Sequence, residues 1–152
     1  MSRTLTLAIP PHMADLGRVQ ATIVAFAETS DIPMRIQQAL DLACDEVISN
    51  IILHGFDDDQ SDKRIACEAS MTDEVFAITF IDNGRPFDPL SEAPTPDLES
   101  SLEDRAVGGL GVHLVKALVD RCSYDRSRGD NRLTLEWSID ATPATTDQKS
   151  GA

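Results

Sequence analysis

The stretch DEVISNIILHGF, residues 45–56, decides how the rest of the chain is read. Ile36, Leu40, Ala43, Val47 and Ile51 run into it at helical spacing and form a buried stripe. On the same helix Glu46, Asn50 and His54 stand four residues apart, so they stack along one face, one turn above another. A face carrying an acid, an amide and an imidazole is not simple core. A carboxylate one turn from an amide pairs a base for a hydroxyl with an oxygen for a hard cation. The competing reading is a solvated helix face. His54 reads first as a residue that caps or packs at the helix end, before any ligand role, and Gly55 closes the helix. The three histidines, His12, His54 and His113, are too scattered to form a metal site.

Working outward, RTLTLAI near the start alternates as a strand and is stopped by Pro10 and Pro11. Leu16, Val19, Ile23 and Phe26 predict a helix from Met13 to about Glu28, and Pro33 suits the first turn of the next helix. After the polar turn DDDQSD, Ile65 to Met71 and Phe76 to Phe80 alternate, which predicts an antiparallel hairpin turning near TDE. Residues 85–107 read as a long irregular segment with four of the eight prolines and six acidic residues; structureless loops beyond about 12–15 residues are usually functional lids or disordered linkers. A helix from Gly109 to about Asp120 follows, then two strands near RCSYDRS and NRLTLEWSI. The expected architecture is α+β, a two-layer sandwich with a mixed, mostly antiparallel sheet and helices on one face. One domain, residues 1–140, is expected, and ATPATTDQKSGA, residues 141–152, reads as a disordered tail.

The chain has 152 residues, 41% hydrophobic and 26% charged, which suits one folded domain and excludes a wholly disordered chain. A net charge of -13 argues against nucleic-acid binding through a broad basic surface, so an anionic ligand must be met by backbone amides, a metal ion or a few arginines. No apolar run approaches the roughly 18 residues of a membrane span, and the opening MSRTLTLAIPPHM lacks a signal-peptide core. Cys44, Cys67 and Cys122 fit no zinc or disulfide pattern, which points to a reducing cytoplasm.

Two further motifs carry chemistry. In FIDNGRPFDP, residues 80–89, Asp82 shares a strand face with Phe76, Ile78 and Phe80, and a carboxylate on that buried face is costly unless it accepts hydrogen bonds. The exocyclic amine of a purine is a suitable donor, and Gly84 allows a flat ring to approach the backbone. An ordinary Asp-Asn-Gly turn is the alternative. In VGGLGVHLVKALVD, residues 107–120, Gly108, Gly109 and Gly111 open an amphipathic helix whose free N–H groups suit a phosphate. No Gly-Lys-Ser/Thr follows, so it is not a P-loop, and Leu114 stands where the dinucleotide fingerprint needs glycine. A glycine-rich hinge is the alternative.

The order and spacing of these motifs resemble the GHKL ATPase superfamily, with its Bergerat ATP-binding fold, and within it the anti-sigma factor serine-protein kinases. The resemblance covers about residues 3–140 through EVISNIILHGF, DNGRPFDP and GGLGVHLVKALVD. It implies Glu46 as general base, Asn50 as magnesium ligand, Asp82 at the adenine amine with Gly84 beneath the ring, Gly108, Gly109 and Gly111 around the phosphates of ATP, and 85–107 as the lid. It also implies phosphorylation of an antagonist protein, a grip on a sigma factor, and a homodimer. Arg105 is the lid cation placed to reach a terminal phosphate, with a surface pair to Glu103 or Asp104 as the alternative. Two departures stand out. Pro86 takes the place of a second glycine common in relatives, and where many relatives carry a threonine near the start of the final strand this chain reads GDNRLT, so no role passes to that stretch.

The chief rival is a nucleotide-gated protein-binding module without kinase turnover, which would have no need of Glu46. A histidine-kinase half would need a phosphoacceptor helix pair, and His12 lies in a proline-rich turn. A domain that binds protein alone is the blandest alternative.

Overall fold

The structure is a computed structural model that describes residues 2–92 and 115–139. Strand β1 (Arg3–Ile9) leads through a short 3-10 turn (Met13–Asp15) into α1 (Leu16–Thr29) and α2 (Met34–His54). Strands β2 (Ile65–Met71) and β3 (Val75–Asp82) follow, then one helical turn, α3 (Pro89–Glu92), and the strands β4 (Arg121–Ser127) and β5 (Asp130–Ser138). Residues 115–118 are also helical. The five strands form one sheet in the order β1-β2-β3-β5-β4. Every ladder among the described residues is antiparallel, so the expected α+β sandwich forms without a parallel pair.

Each strand obeys its alternation. Phe76, Ile78 and Phe80 of β3 and Leu133, Leu135 and Trp137 of β5 are buried, while the residues between them are half-exposed. The helices cover that buried face: Phe26 of α1 meets Phe76 at 6.2 Å between ring centroids, and Phe76 meets Trp137 at 6.1 Å. Leu16, Val19, Ile23 and Ala27 supply the α1 stripe, and Ile36, Leu40, Ala43, Val47 and Ile48 belong to that of α2. Burying each large apolar side chain contributes roughly 1.5–3 kcal/mol, and this, more than helix propensity, holds both helices down.

The turns follow from local chemistry. Helix α1 ends with Asp31 at φ 63, while Asp31 N–H bonds Glu28 O and Ile32 N–H bonds Ala27 O, the Schellman pattern with an aspartate at the left-handed position. Thr72 Oγ1 accepts from the N–H groups of Glu74 and Val75 and shapes the β2–β3 turn. Arg128 and Gly129 both take positive φ, the backbone of a type I′ hairpin, and join β4 to β5. Within the described part of the segment after Gly84, residues 85–92, the irregular reading gives way to a helical turn: Asp88 Oδ1 caps Leu90 N–H at 2.9 Å and starts α3 with Pro89 in its first position. Cys44 and Cys67 are buried, Cys122 is half-buried, and all three are free thiols. Burial pushes the Cys67 thiol up to about 12, which makes it inert. No helix among the described residues is long and apolar enough to cross a membrane.

Candidate functional site

The buried face of the sheet is built in cross-strand rows. One row runs Leu7, Cys67, Phe80, Leu133, Tyr124. The next runs Ile9, Ile65, Asp82, Asn131, Arg126, so the face turns from apolar to polar across β3, β5 and β4 at one end of the sheet. Asp82 and Asn131 keep only 7% and 6% of their surface exposed. A carboxylate this deep requires donors.

Asp82 has two among the described residues, and both bond the same oxygen. Gly84 N–H reaches Oδ1 at 2.9 Å and Asn131 Nδ2 reaches it at 2.9 Å. Oδ2 receives none from the described residues. Burial pushes the carboxyl above its ordinary range, while the bonds from Asn131 and Gly84 and the charge of Arg126 pull it part of the way back. The Asp-Asn-Gly turn and the ligand acceptor, alternatives in the sequence, are compatible here: Oδ1 closes the turn, and the described residues leave Oδ2 without a donor.

Asn83 and its neighbours fix the loop. Asn83 Oδ1 accepts from Arg64 N–H at 2.7 Å, its Nδ2 donates to Asp62 O at 2.8 Å, and Gln60 Nε2 donates to Asn83 O at 3.0 Å. Arg126 donates to Gly84 O at 2.9 Å. Gly84 itself faces protein: a Cβ at this position would overlap the carbonyl oxygen of Gly55 and come within 2.9 Å of its carbonyl carbon. The glycine is therefore required by packing against the end of α2, whatever ring it also admits.

Helix α2 brings Glu46 and Asn50, both half-buried, and His54, which is exposed. Among the described residues the Glu46 carboxylate and the Asn50 amide make no hydrogen bond or ion pair. Burial, and after it the neighbouring Asp45, raises the Glu46 carboxyl above its ordinary range. His54 contributes its carbonyl, which accepts from the Arg85 guanidinium; the same guanidinium donates to Phe56 O at 3.4 Å and pairs with Asp57 at 3.0 Å. Arg85 N–H also bonds Gly55 O at 2.9 Å. The residue after the Asp82 motif thus caps the helix that carries Glu46 and Asn50, where a cation complements the helix dipole. Packing of α2 on β3 completes the link between the two motifs.

Gly108, Gly109, Gly111 and Arg105 lie outside the described residues, as do most of the lid segment and the 141–152 tail. Just past the glycines, Val115 is buried, Lys116 Nζ reaches Leu90 O at 3.2 Å, and Trp137 Nε1 donates to Leu118 O at 2.9 Å. Sequence reasoning missed Asn131, Tyr124 and Arg126. The signal for Asn131 was present: it is the polar exception in the alternation Asn131, Leu133, Leu135, Trp137, as Asp82 is on β3.

The family model described as the histidine kinase-like ATPase domain matches residues 9–137, a span that holds Glu46, Asn50, Asp82 and Asn131 alike. The chain belongs to this family. Among curated relatives, the serine/threonine-protein kinase BtrW of Bordetella bronchiseptica is 34% identical over 101 residues, which are 66% of this chain and 70% of that protein. The serine-protein kinase RsbW of Listeria monocytogenes is 28% identical over 120 residues, 77% of this chain and 74% of that one. An anti-sigma F factor of Clostridium perfringens is 29% identical over 104 residues, 68% and 73% of the two chains. The crystal structure of the RsbU and RsbW domains of a Mycobacterium tuberculosis protein superposes with a TM-score of 0.63 at 17% identity, over 96% of this chain and 35% of that one. At that identity the likeness is one of fold, and it spans about a third of that longer chain.

Proposed function

We propose that this histidine kinase-like ATPase domain is an ATP-dependent serine/threonine-protein kinase of the anti-sigma factor type. It phosphorylates an anti-sigma factor antagonist and binds a sigma factor in a partner switch, as a cytoplasmic homodimer. The names of its relatives support the kinase and anti-sigma readings. The observation that carries the nucleotide reading is the half-used carboxylate of Asp82, with Oδ1 occupied by protein donors and Oδ2 without a donor among the described residues.

In this reading the adenine amine donates to Asp82 Oδ2 and the ring lies against the backbone at Gly84. Gly108, Gly109 and Gly111 line the phosphates, and Arg105 answers the terminal phosphate. Asn50 suits magnesium, since its amide oxygen is a hard donor, half-buried and unclaimed by the described residues, and magnesium takes few protein ligands alongside phosphates and water. The bound ion would neutralise phosphate charge. Glu46, one turn away, would accept the proton of the substrate hydroxyl as the new phosphoester forms and the bond from the γ-phosphate to departing ADP breaks; its raised carboxyl is a better base than an exposed glutamate. Positioning and charge neutralisation supply most of the rate in such transfers. A net charge of -13 makes these local amides and cations the means of holding the anion.

The test is transfer from γ-labelled ATP to candidate antagonist proteins. Label on a serine or threonine, dependent on Glu46, supports the kinase. Tight ATP binding with no transfer to any antagonist would instead favour the nucleotide-gated module.

A further inference from the structure

Asn131 stands directly opposite Asp82 in the β3–β5 ladder, and all of its amide is used. Nδ2 donates to Asp82 Oδ1 at 2.9 Å and to Arg85 O at 2.8 Å. Oδ1 accepts from Phe87 N–H at 3.3 Å and from the Tyr124 hydroxyl. These partners fix the orientation of the amide, because a flipped amide would set its NH2 against two donors and its oxygen against two acceptors. A side chain with one hydroxyl could serve only part of this set.

We propose that Asn131 is the positioning residue for base selectivity: one amide holds Asp82 Oδ1 and the backbone at Arg85 and Phe87, so that Oδ2 alone is presented to the exocyclic amine of a 6-aminopurine. This rests on the nucleotide reading above. The arrangement has two consequences. A carboxylate free to rotate would offer either oxygen in many directions, whereas one pinned at Oδ1 offers a single fixed acceptor. That acceptor favours an amine and repels the carbonyl of a 6-oxopurine, where two oxygens would meet without a proton. The same amide also makes base contact and the placement of residues 85–87 parts of one hydrogen-bonded unit. Tyr124, which donates from the edge strand β4, keeps the amide in this orientation.

The groups around Asp82 set the pH behaviour. Arg126 from β4 and the bonds from Asn131 and Gly84 favour its charged form, while burial and Asp130 oppose it. Tyr124 faces the same carboxylate. Removing the Asn131 donor raises the carboxyl further, so the acceptor is lost at a higher pH.

The experiment compares ADP and GDP binding by titration for the wild type, Asn131→Leu, Asn131→Thr and Tyr124→Phe, across pH, with the melting of each apo protein as a check on folding. The wild type is expected to prefer ADP. In Asn131→Leu that preference falls by about tenfold or more, the scale of a lost hydrogen bond to a charged group. Its acid limb of ADP binding also moves to higher pH. Asn131→Thr, whose hydroxyl can still donate to Asp82, recovers part of the preference, and Tyr124→Phe loses a smaller part. Should all three variants keep the wild-type ADP-to-GDP ratio and acid limb, with only melting lowered, Asn131 is structural and the proposal fails while the nucleotide reading stands. If the folded wild type binds neither nucleotide, both fall. If Asn131→Leu does not fold, the Thr and Phe variants decide the matter by the same ratio.

Discussion

Gly84 packs on the backbone of Gly55 so closely that a side chain at Gly84 would overlap the Gly55 carbonyl at the end of α2. Arg85 N–H seals the contact at Gly55 O, 2.9 Å away. The acid–amide helix and the Asp82 strand, distant in sequence, are thereby held as one unit, and their residues can serve one ligand.

Gly84→Ala should therefore destabilise the apo protein by about 1–3 kcal/mol, the usual cost of forcing a methyl group into packed backbone. Chemical denaturation without nucleotide measures it. If the glycine served only to admit a ring, the apo stability would be unchanged and only nucleotide affinity would drop.

Arg85→Ala should cost about 1 kcal/mol by uncapping the carbonyls at the end of α2. Asp57→Ala, which removes only the exposed ion pair with Arg85, should change stability by less than about 0.5 kcal/mol. Comparable losses from the two substitutions in the same denaturation experiment would mean the ion pair, and not the cap, is what matters.

Much of this was legible in the sequence. The stripe of α2, the alternation of β3 and β5 and the turn residues fixed the elements, because burial on one face imposes a period that composition cannot hide. Asp82 was singled out because it breaks the apolar period of β3. Asn131 breaks that of β5 in the same way, but an asparagine at the start of a strand also suits a turn, and only strand register sets it opposite Asp82. Gly84 was read as room for a ring; that its Cβ position also faces the Gly55 carbonyl at the end of α2 is a tertiary contact that sequence does not reveal. The helical turn at Pro89 was hidden by the proline-rich stretch around it, although Asp88 is an ordinary cap.

Asp82→Asn should weaken ADP binding selectively, leaving GDP affinity level or improved. The same variant tests the electrostatics. Because the folded carboxyl lies above its ordinary value of 3.8, folding binds a proton more tightly than the unfolded chain does. Asp82 therefore opposes folding progressively as pH rises from that value through the raised one. The stability difference, variant minus wild type, should increase over this interval and level off above it. A difference independent of pH would contradict the assigned shift.

Glu46→Gln should remove phosphoryl transfer while ADP and ATP still bind. In the wild type the rate should rise with pH as Glu46 loses its proton, with a midpoint above the ordinary 4.5 of a glutamate, since burial and Asp45 both disfavour the charge. Single-turnover transfer across pH measures this. Loss of binding together with transfer would make the glutamate structural.

The most direct measurement of the central claim is the melting of the wild-type chain with and without magnesium and ATP. Nucleotide at about 100 times its Kd should add roughly 2.7 kcal/mol of stability, and Asp82→Asn at the same concentration should gain clearly less. An unchanged melting temperature at millimolar magnesium-ATP, in protein shown to be folded, would contradict the existence of the site.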